Sequence, residues 1–183
     1  MGHDHERRYK GGSDGLRSAQ RLARLEVDRI VMLCLEGIPA KQVVDVGTGA
    51  GVFAEAFLAR GCAVLGIDPN IVLLGDALRM VTAARFLQAV AEDLPSRNKA
   101  FDLAFLCAVL HETDDGVAAL GEARRVARYR VAVVEHPYLE EDQGPRLAHR
   151  LQRETIIGMS NMAGFTHVAH MTLSHLELYL MTP

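Results

Sequence analysis

The sequence is poor in the residues that mark several large classes of protein. It has no tryptophan, aromatic residues make up 5% of the chain, and its three cysteines, Cys34, Cys62 and Cys107, stand far apart without Cys-x-x-Cys spacing. An odd, scattered set of cysteines argues against a disulfide framework or a structural zinc site and is typical of a reducing compartment. Hydrophobic runs are too short to cross a bilayer and the N-terminal segment is charged, so we predict a cytoplasmic protein without a membrane span.

A large excess of charge is also missing. The net charge is −3 at pH 7 and the isoelectric point is near 6.2, which argues against a nucleic-acid partner. Arginines cluster in residues 17–29 and 124–130, but acids and apolar residues alternate with them, as on solvated helix faces. The His-Asp-His group at residues 3–5 is at most a loose ligand set. We therefore predict no metal site, and an N-terminal segment, residues 1–15, that is mobile without a ligand.

Hydrophobic residues, by contrast, make up 49% of the 183 residues, which is enough for one domain with a substantial core. Apolar strand-like runs alternate with helical patterns along most of the chain. After an N-terminal helix in residues 16–37, strands are predicted at 42–46, 63–67, 85–89, 101–107 and 130–135, and helices at 52–60, 71–81, 115–127 and 145–163.

The C-terminal part of the chain breaks this alternation. Residues 166–172 and 176–181 are predicted as two strands with a short connection, which suits an antiparallel pair. We therefore predict a single α/β domain over residues 1–183, a doubly wound, Rossmann-like, seven-stranded sheet with its core in residues 42–183. The short stretch between the fifth strand and this hairpin leaves no room for a large substrate lid.

The most informative segment is Val-Val-Asp-Val-Gly-Thr-Gly-Ala-Gly at residues 43–51, in which a buried strand runs into a glycine-rich turn. Glycine at alternate positions lets the backbone approach a ligand closely, because a Cβ would collide there. The next strand ends in Gly-Ile-Asp-Pro, and its acid, Asp68, is placed to accept both hydroxyls of a ribose. The two segments together predict a nucleoside pocket.

The spacing of the glycines separates the kinds of nucleotide. A dinucleotide fingerprint needs G-x-G-x-x-G, but Val52 occupies the place of its third glycine, and no lysine follows as in a P-loop. Asp45, just before the turn, would repel a phosphate and favour a cationic ligand with an amino-acid end. A dehydrogenase is therefore a poor alternative.

These segments, taken in order, resemble the class I S-adenosylmethionine-dependent methyltransferases, above all the group that includes the ubiquinone and menaquinone methyltransferases. Residues 43–51 resemble the first motif of that family and residues 66–68 the second. Ala-Glu-Asp-Leu-Pro at residues 91–95 resembles the third, and residues 101–112 the fourth. The resemblance implies a strand order of 3-2-1-4-5-7-6 with strand 7 antiparallel. It also implies S-adenosylmethionine as cofactor and methyl transfer to a small-molecule acceptor by a monomer or homodimer.

The resemblance also implies roles for individual residues. Asp45 would hold the ammonium group of the methionine part, Asp68 the ribose diol, and Asp93 or Glu92 the adenine amine. The implied cofactor-binding set is Asp45, Gly47, Thr48, Gly49, Gly51, Asp68, Pro69, Asn70, Glu92, Asp93, Leu94, Cys107 and Ala108.

The acceptor is expected at the carboxyl ends of the fourth and fifth strands, where open α/β sheets bind ligands. His111, four residues beyond the fourth strand, is a candidate general base, and closing the pocket is its alternative role. Glu135 and His136 are expected beside the acceptor. Tyr9 and Arg17 are expected to fold over the cofactor, as N-terminal segments do in the family.

The motifs define the cofactor site better than the reaction. Cys107 is interpreted as a buried, inert cysteine rather than a nucleophile. Cys-Ala-Val-Leu stands where enzymes that methylate exocyclic amines carry Asn/Asp-Pro-Pro-Tyr, and no triad of acids indicates a magnesium-dependent catechol enzyme. Two alternatives stay open: another transferase that uses the same cofactor site, and a catalytically silent module that binds S-adenosylmethionine or a partner.

Overall fold

A seven-stranded sheet with helices on both faces organises the computed structural model, which describes residues 8–183. The strands are β1 (Gln42–Val46), β2 (Ala63–Asp68), β3 (Arg85–Gln88), β4 (Phe101–Cys107), β5 (Ala127–Glu135), β6 (Val168–Thr172) and β7 (Glu177–Met181). The helices are α1 (Ser13–Leu16), α2 (Ala19–Leu25), α3 (Val27–Leu35), α4 (Val52–Ala59), α5 (Ile71–Met80), α6 (Gly116–Val126) and α7 (Arg153–Met162). Short 3₁₀ turns occupy Leu110–Glu112 and Leu147–His149.

The strand order is β3-β2-β1-β4-β5-β7-β6, as predicted. Strands β1 to β5 pair in parallel, and β7 runs antiparallel to both β5 and β6. The central strands β1 and β4 are buried almost throughout, because helices cover both faces of the sheet. All five parallel strands therefore end at one edge, which holds the glycine turn and the segments that follow β4 and β5.

Two apolar clusters, one on each face of the sheet, form the core. On one face Phe53 and Phe57 of α4 pack against Phe105 of β4, with ring centroids 4.6 and 5.2 Å away from it. On the other face Leu120 of α6 and Tyr179 of β7 are fully buried. These clusters fix the central strands and thereby the residues at their carboxyl ends. Within residues 8–183, no helix is long and apolar enough to cross a membrane.

The N-terminal helix predicted over residues 16–37 is wrong as a single element. The chain forms α1, α2 and α3 instead, since Glu26 adopts a left-handed conformation with φ of 46° between the last two. The side chain of Ser18 accepts from the amide of Arg21 and begins α2, an N-cap that stops a helix from continuing through it. Part of the segment predicted to be mobile is helical, at Ser13–Leu16, whereas residues 1–7, with the His-Asp-His group, lie outside the described residues.

Residues 145–163, predicted to be mostly helical, contain only a 3₁₀ turn at Leu147–His149 before the α-helix. Helix α7 begins only at Arg153, and residues 136–152 form an irregular segment held from inside by Arg150. The buried guanidinium of Arg150 donates to the carbonyls of Pro137, Gln143 and Pro145. Carbonyls that point at an arginine are not available to a helix ladder, so one side chain fixes the whole segment. Elsewhere the predicted bounds differ by a few residues at element ends.

Candidate active site

A cavity of about 590 Å³ opens at the carboxyl edge of the parallel strands. Its floor comes from the ends of β1, β2 and β4 and from the glycine turn. Its walls come from residues 8–10, from α2, and from residues 144–149. This volume lies in the range of small-molecule and cofactor sites. The irregular segment after β5 forms one wall, so the stretch that was expected to be short contributes directly to the cavity.

The glycine turn after β1 lies against the end of β2. The amides of Gly47 and Thr48 both donate to the carbonyl of Ile67, at 2.7 and 2.9 Å. Gly47 has a φ of 69°, and a Cβ at this position would collide with the side chain of Val109. The glycine here is required by the fold of the turn itself as well as by any ligand. Gly51, predicted to contact the cofactor, instead caps α4 and packs against Val81, outside the cavity.

Asp68 stands at the end of β2 with both carboxylate oxygens fixed by backbone amides. Gly49 donates to Oδ2 at 2.9 Å and Asn70 donates to Oδ1 at 2.8 Å. The residue is buried and lines the cavity. Burial raises the pKa of its carboxyl group, against the lowering effect of the two amides. This arrangement is a preoriented acceptor, as a ribose diol requires.

Asp45 lies next along the same edge, at the end of β1. Its carboxylate accepts from Thr48 Oγ1 at 2.6 Å, and the residue is 2% exposed. Burial raises the pKa of Asp45 to about 7, and the neighbouring Asp68 carboxylate adds to the rise. Both Asp45 and Thr48 line the cavity. Two acids side by side at one edge make this half of the cavity attractive to a cation.

The residues predicted to border adenine take three different positions. Pro69 and Glu92, with Asp68, line a smaller pocket of about 70 Å³ beside the cavity. Asn70 is used as the N-cap of α5, where its Oδ1 accepts from two amides. The structure does not bring Asp93 and Leu94 into either pocket: Asp93 is exposed, and the amide of Leu94 donates to Glu122 at 2.8 Å.

A buried histidine–glutamate pair lies at the ends of β4 and β5. His111 Nδ1 is 2.7 Å from Glu135 Oε2, and the His111 amide donates to Glu135 Oε1 at 3.3 Å. Burial disfavours the imidazolium, but the Glu135 carboxylate outweighs this effect and raises the pKa of His111. The same contact keeps the pKa of Glu135 low in spite of its burial. His111 lines the cavity, whereas Glu135 lies behind it.

Other titratable groups surround His111. Nε2 of His111 is 3.9 Å from Glu112 Oε1, which also accepts from the amide of Tyr9 at 3.0 Å. Burial raises the pKa of Glu112 to about 7. The ring of His136 lies 6.5 Å from that of His111, centroid to centroid, and burial lowers its pKa to about 4, so that it is neutral at physiological pH. Tyr9 and His136 both line the cavity.

Strand β4 delivers Cys107 and Ala108 to the middle of the cavity floor. Burial raises the pKa of the Cys107 thiol, which keeps it protonated and supports its interpretation as inert. Ala108 has a φ of 56°, a strained value for a residue with a Cβ, and its amide donates to the carbonyl of Val134 at 2.8 Å. This left-handed conformation of Ala108 turns the chain after β4, and the 3₁₀ turn that follows places His111 at the cavity.

Arg17 does not take the position predicted for it. Its Nε donates to the carbonyl of Ala50 at 2.9 Å and its guanidinium pairs with Glu55, so it ties the N-terminal helices to the glycine turn from outside the cavity. Arg21, one helical turn later, lines the cavity instead. Sequence reasoning missed it because the break at Ser18 changes which side of α2 faces the sheet.

Arg8, Lys10, Arg146 and His149 also line the cavity and were missed. They come from segments without a motif, and only the three-dimensional arrangement brings them to the strand ends. Within residues 8–183, no group of three histidine, cysteine or acidic side chains is arranged to hold a metal ion.

Comparison with known proteins agrees with this geometry. Residues 44–133 match the model of a methyltransferase domain family. An uncharacterised methyltransferase of Synechocystis is 38% identical over 99 residues, which cover 50% of this chain and 46% of that protein. A ubiquinone biosynthesis O-methyltransferase of Alkalilimnicola ehrlichii is 29% identical over 103 residues, which cover 54% of this chain and 42% of that protein. The chain thus spans less than half the length of these two relatives.

The fold comparison extends over nearly the whole chain. A crystal structure of an S-adenosylmethionine-dependent methyltransferase from Aquifex aeolicus superposes with a TM-score of 0.81 at 21% identity, covering 93% of this chain and 97% of that one. The strand order, the glycine turn and the family match define a class I methyltransferase domain, the class whose cofactor is S-adenosylmethionine. The match to the methyltransferase family itself covers residues 44–133.

Proposed function

We propose that the protein transfers a methyl group from S-adenosylmethionine to a small-molecule acceptor. The observation that carries this proposal is the carboxylate of Asp68, fixed by two amides at the end of β2 and lining the same cavity as His111, which Glu135 holds from behind. One end of the cavity is suited to a nucleoside and the other to proton transfer. The predicted monomeric or homodimeric state and the cytoplasmic location stay predictions.

The cofactor half of the cavity is formed by residues of β1 and β2. We assign the ribose hydroxyls to Asp68 and the ammonium of the methionine part to Asp45, whose burial beside Thr48 makes a cationic partner favourable. The backbone at Gly47 and Gly49 forms the floor below them. When bound, S-adenosylmethionine supplies a methyl carbon on a sulfonium, so the leaving group departs neutral.

The acceptor half contains the proposed general base. Since Nδ1 of His111 is held by Glu135, Nε2 is the nitrogen left to take a proton from an acceptor hydroxyl or carbon acid. Glu135 stabilises the imidazolium that forms and fixes the ring orientation, so it is a positioning residue. Because the pKa of His111 is raised, the neutral, basic form needs a higher pH than it does for an ordinary histidine. The O-methyltransferase name of one relative supports an oxygen acceptor.

A thermal unfolding experiment with ligands tests the cofactor assignment. S-adenosylmethionine and S-adenosylhomocysteine should each raise the melting temperature, whereas NAD should not, because Val52 interrupts the dinucleotide spacing. At 100 times its Kd, a ligand adds about 2.7 kcal/mol to the free energy of unfolding. Equal stabilisation by NAD would overturn the assignment.

A second experiment tests catalysis. A panel of small hydroxyl-bearing acceptors is incubated with S-adenosylmethionine labelled in its methyl group, and labelled product and S-adenosylhomocysteine are measured. Production of both in equal amounts supports the proposal. Strong cofactor binding without S-adenosylhomocysteine for any acceptor would support a silent binding module instead.

A further inference from the structure

The charges around the cavity are distributed unevenly along the strand edge. Asp68 at β2 and Asp45 at β1 are the acids of the cofactor end. Arg21 and Arg146 line the cavity on the side closed by α2 and residues 144–149. The side of the cavity closed by α2 and residues 144–149 thus carries two arginines, which suit an anionic group of a ligand, while Glu112 lies beside His111.

Arg21 differs from the other half-buried arginines in its surroundings. It is half-buried, and within residues 8–183 its guanidinium has no hydrogen-bond or ion-pair partner. The other half-buried arginines of residues 8–183 are partnered; for example, Arg17 pairs with Glu55, Arg24 with Glu141, and Arg125 with Glu122. A half-buried arginine that lines a cavity and whose guanidinium has no partner among the described residues is suited to an anion.

Arg21 also lies toward the acceptor end. Together with His136 and Gly144 it lines a small side pocket that adjoins the cavity, next to the end of β5. Its charge adds to the effect of burial in lowering the pKa of His136, which agrees with their proximity. Gly144 lies directly over the His136 ring, and Arg146 follows two residues later on the same segment.

We propose that Arg21 and Arg146 form a subsite for an anionic group, a carboxylate or a phosphate, on the methyl acceptor. The inference rests on the proposed methyltransferase function and narrows its acceptor to an anionic small molecule. The anion lies between α2 and residues 144–149, and the group to be methylated points toward His111 Nε2. The neutral ring of His136 adds a polar surface without a competing charge.

Three small aromatic ligands of similar shape test whether the subsite recognises negative charge. Benzoate, phenyl phosphate and the neutral benzamide are titrated into protein saturated with S-adenosylhomocysteine, at constant ionic strength, and the Kd is obtained from the shift in melting temperature. Benzoate or phenyl phosphate should bind more tightly than benzamide, and their ranking separates a carboxylate from a phosphate acceptor. Arg21→Met and Arg146→Met should each raise the Kd of the preferred anion about ten- to hundredfold.

The control variant is Arg97→Met, which removes an exposed arginine away from the cavity and should change no probe affinity. The affinity for S-adenosylhomocysteine itself is measured for each variant. If Arg21→Met weakens S-adenosylhomocysteine and leaves the anion preference intact, Arg21 binds the carboxylate of the cofactor and the subsite is wrong. Equal binding of benzamide, or binding of none of the probes, also overturns the subsite. The proposed function is tested separately by cofactor binding and product formation.

Discussion

The two ends of the cavity are built in different ways. At the cofactor end, β1, the glycine turn and β2 place Asp45, Thr48 and Asp68 through hydrogen bonds that span at most 19 residues of chain. At the acceptor end, residues 8–21, the turn after β4, the end of β5 and residues 144–149 meet across much of the chain. The first end depends on local geometry, and the second depends on how distant segments pack.

The difference has a physical consequence for specificity. At the cofactor end, backbone amides hold both carboxylate oxygens of Asp68, and a side-chain substitution at Gly49 or Asn70 does not remove them. The acceptor end is fixed by side chains such as Arg150, whose guanidinium holds the irregular segment through three carbonyls and Glu141. A change in a few side chains can therefore alter the acceptor while the cofactor site is kept.

The largest expected effect is on the acceptor end and concerns His111. His111→Ala should lower turnover about 10²- to 10⁴-fold, because the proposed base is lost, while the affinity for S-adenosylhomocysteine changes little. Turnover and cofactor affinity are measured side by side on an identified acceptor. Glu135→Gln should also lower turnover. Because the Glu135 carboxylate raises the pKa of His111, its loss should move the rise in activity to lower pH.

A structural role alone would give a different pattern. If His111 only packs the cavity, His111→Gln should restore most of the turnover and the pH profile should be unchanged. Turnover at the wild-type level in His111→Ala would eliminate the base. Burial of His111 makes loss of stability an expected side effect, so melting temperatures accompany each rate.

The next effect concerns the cofactor end and Asp68. Asp68→Ala removes an ionised acceptor of the proposed ribose hydroxyls and should cost about 1.5–3 kcal/mol of binding per lost bond. Calorimetry with S-adenosylhomocysteine measures the loss. Asp28→Ala, which removes an exposed carboxylate far from the cavity, is the matched control. An unchanged affinity in Asp68→Ala would remove the ribose assignment.

The same contrast explains what could be predicted from the sequence. The strand order followed from the resemblance to the methyltransferase family, and the position of Asp68 at the end of β2 followed from a few adjacent residues. Arg21 and Arg146 could not be predicted, since nothing near them in the sequence indicates which cavity they will face. Leu94 is the opposite case. Its motif is recognisable and indicated a place beside adenine, but its amide donates to Glu122 on α6 instead.

A pH dependence sharpens the role of Asp45. Burial raises the pKa of this carboxyl group to about 7, so below that pH it is protonated and no longer attracts an ammonium group. The affinity for S-adenosylhomocysteine should therefore fall up to about tenfold per pH unit below 7. Because the folded protein binds this proton more tightly than the unfolded chain, ionisation costs stability as the pH rises from about 4 through 7. Asp45→Asn should thus be the more stable apo protein above pH 7.

Glu112 serves as the control for the pH dependence assigned to Asp45. Its pKa is also raised by burial to about 7, but it lies beside His111 at the acceptor end. Glu112→Gln should keep the pH dependence of cofactor affinity, and Asp45→Asn should remove it. The opposite result would assign the ammonium group to Glu112.

The smallest expected effect concerns the N-terminal segment, which closes over both ends. The amide of Tyr9 donates to Glu112 Oε1 at 3.0 Å, its hydroxyl donates to the carbonyl of Gly12 at 3.1 Å, and Leu16 approaches Gly49. These contacts join residues 9–16 to the cavity wall, so bound S-adenosylhomocysteine should slow their hydrogen exchange. Tyr9→Phe removes one exposed hydrogen bond, about 0.5–1.5 kcal/mol, and should reduce the added protection by about tenfold or less. Exchange that is the same with and without S-adenosylhomocysteine would show that the segment packs on the domain independently of the cofactor.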